Sequence, residues 1–188
     1  MLEKISQNKY TICTVLAFVA LALGISATLQ QLNLYIDIRN GYESDYAFTY
    51  LVSTIKYGVI TTSTVFLIAI AIKRTLDKNM IAASLSFYTL GDLADIAKYI
   101  QKGTFDYTDV IWVGINIIIL ILGILALSNR RYLLTAITFL AIDIAFNLVD
   151  VFIGSVMGLS IVIIATTLSF CIYFCNKEEN NYYDEYTN

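Results

Sequence analysis

The chain has 188 residues, 58% hydrophobic and 14% charged, with a net charge of −3, no proline and no histidine; its mean hydropathy is +0.70. A soluble domain carries about 25% charged residues, so this is the composition of a protein whose solvent is a bilayer, and the small charge points to no nucleic-acid partner. The missing histidines exclude an imidazole ligand for haem, zinc, copper or iron, and an imidazole base. No metal or cofactor is expected, and proton chemistry falls to carboxylates, tyrosines, cysteines or lysines.

A transmembrane helix needs about 20 mostly apolar residues. Six such runs are predicted, at 10–31, 48–72, 79–100, 109–128, 132–153 and 156–175. The sequence therefore predicts an all-α polytopic membrane bundle of about six helices, a single domain over 1–175. The tail over 176–188, rich in Glu, Asn and Tyr, lacks an apolar period and is expected to be disordered. The first run, preceded by Lys4 and Lys9, has the look of a signal peptide and is read as a retained span. The last two runs are separated by little more than Gly154 and Ser155.

Lys and Arg stay on the cytoplasmic side. One side of the predicted bundle holds Lys4, Lys9, Lys73, Arg74, Lys78, Arg130, Arg131 and Lys177, and the other Arg39, Lys98 and Lys102. Both termini are therefore expected in the cytoplasm, and the protein in the cell membrane.

Ionisable groups inside spans are costly and mark function. Lys56 lies about eight residues into the second span, roughly 12 Å deep at 1.5 Å per residue. Tyr88, Asp92, Asp95 and Tyr99 form one stripe on the third span at helical spacing, and Asp143, Asn147 and Asp150 another on the fifth. All of these lie in the outer half. The expected arrangement is a polar cavity open to the outside, with Lys56 paired to Asp92 or Asp143; the plainer alternative is helix glue by buried pairing. A buried excess of carboxylates suits a general acid or a proton carrier.

Cys13, Cys171 and Cys175 make an odd count inside apolar runs, which argues against a disulfide framework. Cys171 and Cys175 read as small apolar helix residues or acylation sites. Tyr35, Tyr42, Tyr46, Tyr50 and Tyr107 fall at the outer boundary, as an aromatic belt does.

Lys56, followed by the segment FYTLGDLADIA with Gly91 and Asp92, and by Phe139 four residues before Asp143, resembles the YhhN-type lysoplasmalogenase family over residues 50–155. The chain departs from that family in having Tyr57 where members carry proline, and in lacking a histidine after the Gly-Asp pair. The resemblance implies hydrolysis of the vinyl-ether bond of a lysoplasmalogen-like lipid. Asp92 and Asp143 would then be the acid and base, with Lys56 tuning one of them, and Tyr88, Asp95, Tyr99, Asn147 and Asp150 facing the substrate.

Two other functional classes fit the same residues. One is a small proton- or cation-linked transporter or channel, with Thr61, Thr62, Ser63, Thr64 and Asn116 as inner stepping stones. The other is a membrane immunity or interaction protein that binds through its outer segment from Asp37 to Asp45. The expected partners are membrane lipid, a lipid or cation substrate, and other copies of the chain in an oligomer.

Overall fold

The computed structural model describes residues 8–41, 44–103 and 105–187; the side chains at 44, 45, 150 and 178–187 lie outside the described part. Tyr42, Glu43 and the side chains of Ser44 and Asp45, part of the outer segment expected to bind a partner, fall there too. Among the described residues seven helices follow one another: α1 (Lys9–Asn40), α2 (Ser44–Lys73), α3 (Lys78–Leu93), α4 (Ile96–Lys102), α5 (Tyr107–Ala126), α6 (Arg131–Phe152) and α7 (Val156–Thr187). No strand occurs among the described residues. Among the described residues five helices, α1, α2, α5, α6 and α7, are long and apolar enough to cross a membrane. The protein is a multi-pass integral membrane protein.

The remaining predicted span is divided. α3 has 16 residues, or about 24 Å, short of the roughly 30 Å hydrocarbon core; α4 continues it after a tight turn at Ala94 and Asp95. That turn is made by short i→i−3 bonds, Ala94 N to Gly91 O and Asp95 N to Asp92 O, both 3.1 Å. The expected continuous stripe from Tyr88 to Tyr99 is thus interrupted beside its two aspartates.

Other boundaries follow local chemistry. Asp77 caps α3 by accepting from the Asn79 N–H at 2.8 Å, and α5 opens with a capping box between Asp106 and Asp109. Between α6 and α7 the chain reverses at Gly154, whose φ of 84° a side chain would oppose. The helix of α1 runs past the predicted end of the first span to Asn40. In α7 the backbone stays helical to Thr187, where the sequence predicts a disordered tail. A helix already nucleated by the apolar run extends at low cost per residue.

The helices form a closed ring. α1 packs on α2, α2 on α3, α3 on α5, α5 on α6, α6 on α7, and α7 back on α1. Small residues make the α1 seams, because lipid supplies no hydrophobic drive between helices and close van der Waals packing must replace it. Cys13, Ala17, Ala20, Gly24 and Ala27 are buried along one face of α1. The opposite surface is apolar and exposed, with Val15, Phe18, Ile25, Ile111, Ile121 and Ile124 among the outward side chains, as a lipid-facing exterior requires. At one end of the bundle Cys13 meets Cys171, and towards the other the Gln31 amide donates to Met157 Sδ at 2.9 Å. The start of α1 therefore lies beside the later part of α7.

Candidate functional site

Lys56 is the centre of the polar cluster. Its Nζ lies 3.0 Å from Asp92 Oδ1 and 2.7 Å from Asp95 Oδ2. Lys98 closes the row from outside, 2.5 Å from Asp95 Oδ1. Two ammonium groups thus face two carboxylates, an electroneutral row of the kind that lowers the cost of charge at membrane depth. Asp92 and Asp95, three apart on either side of the junction between α3 and α4, share the face toward α2 and both reach one lysine.

Lys56 also lies 5.1 Å from the ring centroid of Trp112 on α5 and 5.7 Å from that of Tyr57, within cation–π range. Gly91 permits the approach of α3 to α2 here. A Cβ at that position would stand 2.5 Å from Ile60 Cγ1 and 2.8 Å from Lys56 O, so only hydrogen fits.

Asp143 takes different partners. The Tyr88 hydroxyl donates to Asp143 Oδ2 in a short hydrogen bond, and the Asn147 amide donates to Asp143 Oδ1 at 3.3 Å and to its backbone carbonyl at 2.9 Å. No cation lies within ion-pair distance of Asp143 among the described residues. Tyr88 is one turn from Asp92 on α3, so it ties Asp143 to the lysine cluster; Asp143 is within electrostatic reach of Asp92 and Lys56.

The expected pairing of Lys56 with Asp92 or Asp143 is therefore met by Asp92 and joined by Asp95, not Asp143. The expected opening to the outside is also corrected. Asp92, Asp143 and Tyr88 are 0% exposed and Lys56 is 7%. Tyr99, on α4, leans its ring on Phe105 at 5.4 Å and is within electrostatic reach of Asp95 and Lys56 at the edge of the cluster. Asp150 belongs to α6, and its side chain lies outside the described part.

An open hollow of about 560 Å³ borders the outer end of the row, lined by Tyr46, Thr49, Lys98, Tyr99, Gln101 and Lys102. On the other side of Lys56 the hydroxyls turn to the backbone. Thr61 donates to Tyr57 O, Ser63 to Ile60 O and Thr64 to Thr61 O, each at 2.6 Å, and Ser84 donates to Ser63 O at 2.8 Å.

Sequence reasoning missed two members. Lys98, read as a boundary charge, is an ion-pair partner; its spacing of three from Asp95 was the available signal. Trp112 is the sole tryptophan, but nothing in its neighbourhood in the chain points across to α2.

Chemically, the cluster combines a carboxylate held by an ammonium (Asp92), a carboxyl held by a hydroxyl and an amide (Asp143), and surroundings closed to bulk solvent. Those are the parts of an acid–base pair with unlike environments. Comparison with known protein families, curated proteins and solved structures finds no match.

Proposed function

We propose that the protein hydrolyses the vinyl-ether bond of a lysoplasmalogen-like lipid in the cell membrane, as its resemblance to the YhhN-type lysoplasmalogenases implies. The observation that carries this reading is the unlike environment of two fully buried aspartates, Asp92 beside Lys56 and Asp143 beside Tyr88.

The reaction needs a proton delivered to the vinyl carbon, giving an oxocarbenium ion, and then water added to that ion. The hemiacetal so formed breaks its C–O bond to release an aldehyde and the glycerol hydroxyl of the lipid. Asp143, with no cation beside it, is the proton carrier. Asp92, balanced by Lys56, is the carboxylate that orients water and takes its proton; that proton must then pass from Asp92 to Asp143, so that one water is consumed and both carboxyl groups return to their starting states. Tyr88 and Asn147 hold Asp143 in place. Lipid would come laterally through the hollow at Tyr99 and Lys98, and α4 would have to swing on its turn to admit it.

Transport is the second reading, favoured by the unbroken row Lys98, Asp95, Lys56, Asp92. The inner hydroxyls, bonded to backbone carbonyls, weigh against it, because a conducting path would need them free.

The test is aldehyde release from a lysoplasmalogen by protein reconstituted in vesicles. Asp92→Asn and Asp143→Asn should each abolish it. Activity that survives both changes sinks the hydrolase reading, and proton or cation flux dependent on Asp92 in the same vesicles would replace it with transport.

A further inference from the structure

The ring of helices closes where the first meets the last, and a thiol pair sits in that seam. Cys13 Sγ on α1 lies 3.1 Å from Cys171 Sγ on α7, across 158 residues of sequence. Both are free thiols, 1% and 0% exposed. An odd cysteine count speaks against a disulfide framework, but the fold selects two of the three. Cys175, one turn along α7, instead donates its thiol to Leu76 O at 3.2 Å, which directs it to the turn between α2 and α3.

We propose that Cys13 and Cys171 are an oxidisable dithiol whose disulfide locks α1 to α7. With a peroxide as oxidant, the two S–H bonds and the O–O bond break, one S–S bond forms, and two protons and two electrons pass to the peroxide. For hydrogen peroxide the products are the disulfide and two waters. The sulfurs must approach by about 1 Å to reach bonding distance.

The position of the pair gives the bond its effect. Every other joint in the ring follows chain order, so a turn, a short loop or, between α3 and α5, the 7-residue α4 already limits how far its two helices can part. α1 and α7 have no such link. The reduced ring can part at this seam, and the oxidised ring is covalently continuous. A peroxide would thus set the rigidity of the bundle from the end where the chain begins, far from the lysine cluster.

The test uses the full chain in membrane vesicles, treated with hydrogen peroxide or with dithiothreitol, blocked with an alkylating reagent and digested without reductant. Mass spectrometry should find a Cys13–Cys171 linked peptide pair after peroxide and none after dithiothreitol. Cys175→Ser should keep the link. Peroxide should also raise the thermal unfolding temperature of the wild type, reversibly with dithiothreitol, and leave Cys13→Ser unchanged, a control that shares any methionine oxidation. Cys13 and Cys171 both alkylated after peroxide, or a link from Cys13 to Cys175, overturns the proposal without need of any variant.

Discussion

Lys56 on α2 and Asp92 on α3 meet at 3.0 Å with their side chains 9% and 1% exposed, so both charges are withdrawn from solvent. Removing one partner of such a pair leaves the other charge buried and alone, which costs about 3–5 kcal/mol. Lys56→Met should destabilise the folded protein by that order in equilibrium unfolding from mixed micelles. Adding Asp92→Asn should restore part of the loss. A Lys56→Met protein as stable as wild type would mean that the ammonium carries no weight in the fold.

The second prediction concerns the seam beneath that pair. At Gly91 an added methyl meets backbone, Lys56 O and Ile60 N at 2.8 and 2.9 Å, and backbone does not yield as a side-chain tip would. Gly91→Ala should cost about 1–3 kcal/mol by overpacking and lengthen the Lys56–Asp92 contact. Gly114 on α5 has nothing within 4 Å of such a methyl, and Gly114→Ala should be neutral or stabilising by about 0.5–1 kcal/mol. Equal effects at the two glycines would contradict the packing described.

Tyr88 holds Asp143 across the space between α3 and α6, both fully buried. Tyr88→Phe keeps the ring and deletes the donor, which should cost about 1–3 kcal/mol. In a double-mutant cycle with Asp143→Ala the two changes should be coupled by about 0.5–3 kcal/mol. Simple additivity would show that the hydroxyl and the carboxyl act independently. If Asp143 supplies the proton in hydrolysis, Tyr88→Phe should also lower the rate of aldehyde release more than it raises KM.

The single tryptophan gives an optical test. Trp112 stands 5.1 Å from the Lys56 ammonium, and a charge that close to an indole shifts its emission energy. Lys56→Met should move the emission maximum of the intact protein, whereas Lys102→Met, in the outer hollow, should not. Identical spectra for Lys56→Met and wild type would place the indole away from the lysine.

The bundle was legible in the sequence because hydropathy reports length and depth directly. Lys56, Asp92 and Asp143 stood out for the same reason, being ionisable groups in apolar runs. Which carboxylate met the lysine was not legible, since a pairing between helices depends on their rotation about their axes. The break at Ala94 and Asp95 carries no proline and no glycine of its own; the side-chain pairing of Asp95 to α2 accompanies it and leaves no mark in the local sequence. The closure of Asp92 and Asp143 from solvent, and the meeting of Cys13 with Cys171, are products of ring packing over long sequence separations. Trp112 belongs with these.

The meeting of α1 with α7 has a consequence for biosynthesis. Cys13 and Cys171 are 158 residues apart, which at ordinary synthesis rates is roughly 10 to 30 s of elongation. Throughout that interval the small-residue face of α1 that will meet α7 must rest against lipid. Lys56 meets no such delay, because Asp92, Asp95 and Lys98 emerge in the next hairpin and neutralise it while Asp143 is still unmade. The nascent chain can thus deliver its charges to the bilayer as a settled group, and the second fully buried aspartate joins only when α6 arrives.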